Sequence, residues 1–458
     1  MAARTDLWPP APDLSSLAAL RAFRRDPLGL LERLATYGDV VRIRLPRADA
    51  YLLNRPDLVR DVLVTDHRSF RKGPTIQAAK ILLGESLLTT EGEHHRRQRR
   101  LIQPMFHHER IATYADAMVR LAERATDRWV SGEELDVHAE MGSLTLAIVG
   151  ETLFGADVDE ARSATVRRAL TDTLGMFDRA YSPLFRLLVR LPSPTMRRYH
   201  RVEADLNGVI AQMIAERRAS SADGDDLLSL LLRAREDGVG MTDRQVRDEA
   251  LTLFLAGHET TANALTWTWW LLSRHPDAEE RLHRELDERL AGGPPSVRDL
   301  SQLPYTQAVV SESIRLRPPA WAIGRTAVAE HAAGPYVVPA GSTVVVSPWL
   351  VQRDPRWWPE PLDFRPERWL SDNPERPRSA YLPFGAGPRM CIGEPFARLE
   401  AAMLLASVAR RWSLRLRDGF EPELQAVVTL RPRHGMPMRA ERRDASVRSA
   451  GGVGGGAR

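Results

Sequence analysis

The chain has 458 residues, with 43% hydrophobic and 27% charged side chains, which excludes a disordered or fibrous protein and allows a large buried core. Its pI of about 9.4 suggests affinity for nucleic acid, but 64 basic residues face 60 acidic ones, for a net charge of +4. The two signs are interspersed along most of the chain, so there is no phosphate-binding stripe and no nucleic-acid partner is expected. A single cysteine cannot form an internal disulfide, and neither a signal-peptide core nor a spanning segment follows Met1. We therefore expect a cytoplasmic monomer with no membrane anchor.

In chain order, residues 40–45 and 51–54 alternate as a hairpin, and Pro56 opens a helix to residue 64. Amphipathic helices fill residues 93–218, with breaks at Gly132, Gly155 and residues 192–194. A long helix spans residues 242–274, capped by Thr242 and ended before His275-Pro276; at 1.5 Å per residue it would run roughly 45–50 Å. Helices follow at 276–290 and 305–316, then strands and turns at 321–346. Residues 354–388 form a long proline-rich stretch, a length uncommon inside a domain unless it is functional. A helix at 394–412 and short strands to about residue 430 close the pattern. No repeat or linker divides it, so residues 1–440 are expected to be one domain and the glycine-rich 441–458 a disordered tail.

The segment Phe384-Gly-Ala-Gly-Pro-Arg-Met-Cys391-Ile-Gly carries the chemistry. A lone intracellular cysteine is usually a small buried hydrophobe, but the setting of Cys391 differs. Gly385 and Gly387 permit a sharp turn, Arg389 supplies a cation for a carboxylate, and Cys391 stands where a helix begins, which favours thiolate. Upstream, the long helix carries Ala256-Gly257-His258-Glu259-Thr260-Thr261, a string that by itself could simply bend a helix.

Phe384, Gly387, Arg389, Cys391 and Gly393 match, position by position, the haem-binding signature of the cytochrome P-450 monooxygenases, and the chain resembles that family. The resemblance implies a mainly α, helix-rich domain with small β-sheets and haem b (iron protoporphyrin IX) between the long distal helix and the cysteine-loop helix. It makes Cys391 the iron's thiolate ligand, packs Phe384 near the sulfur, and assigns propionate contacts to Arg389, Arg99, Arg325 and His95. Gly257 would let the distal helix approach the haem, while Glu259 and Thr260 would deliver protons to bound oxygen. Glu312, Arg315 and Arg368 would form a structural ion triad, beside Trp369 where the family usually has phenylalanine.

The implied reaction inserts one atom of O2 into a C–H or C=C bond of a lipophilic small molecule, with a terpenoid or another secondary-metabolite intermediate favoured. Pocket-lining segments would fall at residues 76–88, 170–184, 253–256, 321–324 and 427–429. Electrons would come from separate proteins, a ferredoxin and its reductase, with Arg96, Arg97 and Arg100 offering a cationic docking face. Two other classes stay open at this stage. A haem-thiolate sensor would need neither Glu259 nor Thr260, and another kind of metal or redox protein would need further cysteines or paired histidines.

Overall fold

The computed structural model describes residues 8–46, 48–155, 165, 194–219, 224, 226–236, 238–371 and 373–443. Its centre is the distal helix Asp243–Arg274, which starts with a complete capping box: Gln245 N–H donates to the Thr242 hydroxyl, and the Gln245 side chain accepts from Thr242 N–H. This helix is buried for most of its length, and its apolar residues join one core with those of helices Ala115–Asp127, Val137–Phe154, Pro194–Ala219, Pro276–Leu290, Pro304–Leu316 and Glu394–Ala409. Leaving water is what holds such a stack together, at about 25 cal/mol per Å² of apolar surface.

The sheets are small. A five-stranded sheet has the order Val40–Ile43, Ala50–Leu53, Thr343–Val346, Ile323–Ala327, Phe70–Lys72. The expected hairpin is its edge, with Val40 opposite Leu53, and the only parallel pair among these strands joins Ala50–Leu53 to Thr343–Val346. A three-stranded sheet is made from Trp412–Leu416, Pro437–Arg442 and Glu134–Asp136, and a hairpin from Leu424–Ala426 and Leu430–Pro432.

The helix-rich class with small sheets is as expected, with three corrections at the edges. The helix starting at Glu394 stops at Ala409, and Trp412 begins a strand whose ring meets Trp129 edge-on at 5.7 Å between centroids. Strand structure continues past residue 430 to Arg442, and Arg443 Nη2 bonds Asp287 Oδ2 at 2.6 Å, so order reaches beyond residue 440. The helix from Pro56 changes to a π-turn at Asp61–Thr65. After the expected break at Gly132 the chain forms strand Glu134–Asp136 before helix resumes. The remainder of the expected tail, residues 444–458, and the expected pocket segment 170–184 lie outside the described residues.

Among the described residues of 354–388 the only regular elements are 3-10 turns, at Pro366–Trp369, Arg378–Ala380 and the start of Gly387–Arg389. What fixes so irregular a stretch is Glu312, fully buried on helix Pro304–Leu316. It accepts from Arg315 Nε and Nη2 at 2.8 Å each, Arg368 Nε at 2.8 Å, Arg365 N–H at 3.1 Å and Trp369 Nε1 at 2.8 Å. Arg315 spends its remaining donors on the carbonyls of Gln352, Pro361 and Asp363. A buried carboxylate is tolerable only when so fully bonded. The indole at 369 therefore contributes a donor that phenylalanine would lack.

Candidate active site

The cysteine loop leads from the proline-rich stretch into helix Glu394–Ala409. Cys391 N–H donates to Phe384 O at 2.9 Å, closing the loop, and Arg398 stacks its guanidinium 4.9 Å from the centre of the Phe384 ring. Gly387 has φ +71°, and a Cβ there would lie 2.1 Å from Leu63 O, so the turn accepts no other residue without moving the neighbouring backbone. The Cys391 side chain is accessible on one side and otherwise enclosed by protein. Burial pushes its thiol up, with the Glu394 carboxylate adding to this, while the Gly393 and Glu394 amides and Arg99 pull towards thiolate. Burial wins, so the helix start does not by itself make the thiolate expected from sequence; coordination to a metal would.

A cluster of cations flanks the loop. Arg389 Nη1 donates to Phe70 O at 2.9 Å and Nη2 to Glu91 Oε2 at 2.6 Å. Arg325 is 8% exposed and bonds only Gly324 O, at 3.0 Å, with no ion pair among the described residues. Burial and Arg389 lower it to about 10. His95 is buried, and desolvation with Lys72, Arg389 and Arg99 nearby holds it neutral, at about 3. Arg99 Nη1 donates to Met390 O at 2.8 Å, beside the cysteine.

Lys72 belongs to this cluster and was not anticipated. It is buried, its ammonium donates to Leu87 O at 2.7 Å and Thr90 O at 2.9 Å, and burial lowers it to about 7. Glu91 was equally unforeseen; it accepts from the Lys72 backbone N–H as well as from Arg389.

On the distal helix, Thr260 Oγ1 donates to Ala256 O at 2.9 Å, so its lone pairs are left as acceptors. Ala256 is exposed although residues 250–254 and 261–269 on either side are buried, which marks an accessible strip inside the molecule. Glu259 Oε1 accepts from Thr429 Oγ1 at 2.7 Å. At Gly257 a Cβ would lie 3.1 Å from Val149 Cγ2, so this glycine also lets the neighbouring helix Val137–Phe154 pack closely.

One expected pocket segment bonds the distal helix through its backbone N–H groups, and two others bond each other. Glu85 N–H and Leu87 N–H donate to the buried Asp248 Oδ2 at 2.8 Å and Glu249 Oε2 at 3.0 Å. Trp321 Nε1 donates to Val427 O at 3.2 Å. Leu88 and Val428 keep 38% and 42% of their surface accessible, as apolar lining residues would.

Among the described residues no three His, Cys, Asp or Glu side chains gather as a metal cage. A lone cysteine therefore suits an iron whose other ligands come from a macrocycle. Among the described residues, Lys72, Arg325 and Arg389 share the Glu91 carboxylate, and the further acid near Lys72, Glu249, is raised by burial to about 8, so the cluster keeps positive charge that suits propionates. The residues fit haem.

A protein-family model described as Cytochrome P450 matches residues 23–436. The chain belongs to the cytochrome P450 family. Similar proteins include cyclooctat-9-en-7-ol 5-monooxygenase of Streptomyces melanosporofaciens, 43% identical over 86% of each chain. Cyclooctatin synthase of the same organism is 41% identical over 90% of this chain and 91% of its own. Pentalenene oxygenase of Streptomyces avermitilis is 35% identical over 89% and 91%. This P450 is thus a haem-dependent monooxygenase acting on a lipophilic small molecule with O2 and electron-donating partners. No helix among the described residues is long and apolar enough to cross a membrane.

Proposed function

We propose that this P450 hydroxylates or epoxidises a cyclic terpenoid intermediate of secondary metabolism, with Cys391 as the residue that would hold the haem iron as thiolate and Glu259 and Thr260 delivering protons. The observation that carries this reading is the pairing of the Cys391 loop with an acid and an alcohol on the distal helix. The names of the similar enzymes support the substrate class, since they refer to an unsaturated alcohol and to pentalenene. The apolar residues Leu88, Trp321 and Val428 support it further, because area burial rather than charge would hold such a molecule.

The overall reaction takes R–H, O2, two electrons and two protons to R–OH and water. Haem supplies the oxygen-activating redox chemistry, and thiolate ligation favours O–O cleavage. The chain's residues do the rest. Arg389, Arg325, Arg99 and His95, with Lys72 added, would hold the haem propionates. Phe384 shields the sulfur side, and Gly257 brings the distal helix into its packed position. Thr260, its own proton committed to Ala256 O, would accept a hydrogen bond from a water on the proton path, and Glu259 would relay protons from outside.

Electrons are proposed to come from a ferredoxin and its reductase in the cytoplasm, meeting the surface near Arg96, Arg97 and Arg100. Arg96 pairs there with Glu93, and Arg97 donates to Val239 O at 3.4 Å. Residues 1–440 are proposed as one domain acting as a monomer.

Oxygen uptake measured together with product from a terpenoid substrate, using a surrogate ferredoxin system, tests this reading. Thr260→Ala should keep consuming electrons but divert them to hydrogen peroxide. Unchanged product yield per electron pair would remove Thr260 from the proton path.

A further inference from the structure

Glu259 does not stand alone on its helix face. Glu259, Asn263 and Trp267 are spaced by four, so they lie one above another on the distal helix. All three bond the same two-residue stretch at the end of the hairpin Leu424–Ala426 and Leu430–Pro432. Thr429 Oγ1 donates to Glu259 Oε1 at 2.7 Å, Asn263 Nδ2 donates to Thr429 Oγ1 at 3.2 Å, and Trp267 Nε1 donates to Leu430 O at 3.1 Å. Leu430 N–H also donates to Pro319 O at 2.9 Å, so the backbone carrying Thr429 is pinned independently of its side chain.

The proton accounting is unambiguous. A threonine hydroxyl has one proton, and a carboxylate can only accept. With that proton on Glu259, the Thr429 oxygen must accept from Asn263, giving a single directed chain from the amide through the hydroxyl to the carboxylate, each bond polarising the next. Thr429 and Asn263 are both buried, and Asn263 Oδ1 has no protein partner, so the chain is kept despite an unsatisfied atom. The two residues before Thr429, Val427 and Val428, are apolar, Val428 is exposed, and Trp321 bonds Val427 O.

We propose that Thr429 is a positioning residue for oxygen activation: its hydroxyl, oriented by Asn263, holds the Glu259 carboxylate in place and ties its orientation to the hairpin that borders the substrate. This rests on the proton-delivering role of Glu259. The hydrogen bond selects one carboxylate rotamer out of several, and the same hairpin transmits the fit of the substrate to the acid.

The test compares Thr429→Val, Thr429→Ser, Glu259→Gln and the Glu259→Gln/Thr429→Val double variant as haem-loaded proteins. Measurements are product formed per electron pair, hydrogen peroxide released, the solvent deuterium isotope effect, and substrate affinity from the Soret shift. Thr429→Val should lower product per electron pair about three- to tenfold, a fraction of what a positioned acid contributes, and enlarge the isotope effect. Thr429→Ser should restore both, and the double variant should be no worse than Glu259→Gln alone. Weakened substrate affinity with unchanged coupling, or losses that multiply in the double variant, would make Thr429 a wall residue and overturn the proposal. A Glu259→Gln enzyme with normal coupling would instead defeat the reading of Glu259 itself, and this inference with it.

Discussion

Arg389 and Glu91, 298 positions apart in the chain, meet at 2.6 Å between Nη2 and Oε2 and close the cationic cluster beside the cysteine loop. Glu91 is the counter-charge that Arg389 has within the protein, and a haem propionate is the counter-charge it would gain with the cofactor. Glu91→Ala should therefore destabilise the haem-free protein by about 2 kcal/mol, the loss of hydrogen bonds to a charged, partly buried group. The haem-bound form should lose clearly less. Denaturant titrations of both forms would show this, and equal losses would mean that Arg389 does not serve a propionate.

Glu312 is the second anchor, and its removal should be far costlier. Glu312→Gln leaves the fully buried Arg315 without its charge partner, which predicts about 3–5 kcal/mol of lost stability and poor haem incorporation. Trp369→Phe is the milder companion: it takes away one 2.8 Å bond to the same carboxylate, so about 1–2 kcal/mol should be lost with haem content preserved. Thermal unfolding of both variants, with haem content measured from the same samples, checks the pair. A Trp369→Phe protein as stable as the parent would leave the indole without a role.

These sites show which features sequence could carry. Periodicity and caps are local, so helix Pro276–Leu290 and the Thr242 cap were readable directly, as was the cysteine loop with its fixed spacing. Asn263 was readable in principle, being four residues after Glu259 and so on its face. The alternation of buried Met438 and Ala440 with their more accessible neighbours also signalled the strand that the sequence reading ended too early. Glu91, Lys72 and Thr429 gave no such signal, because each acquires its partner only when distant segments pack. The contact of Gly257 with Val149 gave no signal either, since spacing alone does not say what a helix face meets.

Glu249 makes stability depend on pH. It is buried on the distal helix, accepts from Leu87 N–H, and burial raises its carboxyl from 4.5 to about 8. The folded state thus binds more protons than the unfolded state between about pH 4.5 and 8, so this group lowers stability progressively as pH rises through that window. Glu249→Gln keeps the carbonyl acceptor and removes the titration. The variant should gain on the parent from pH 5 to pH 8, roughly the span of that shift. Parallel stability curves for the two proteins would show that Glu249 does not titrate there.

The proposed iron ligation by Cys391 is the point on which the rest depends. The direct measurement is the carbon monoxide difference spectrum of the dithionite-reduced, haem-loaded protein, taken beside Cys391→Ser. The account predicts the red-shifted Soret band of thiolate-ligated haem in the parent and its loss in the variant. A band of the histidine-ligated type in the parent, or a thiolate-type band that survives Cys391→Ser, would contradict it.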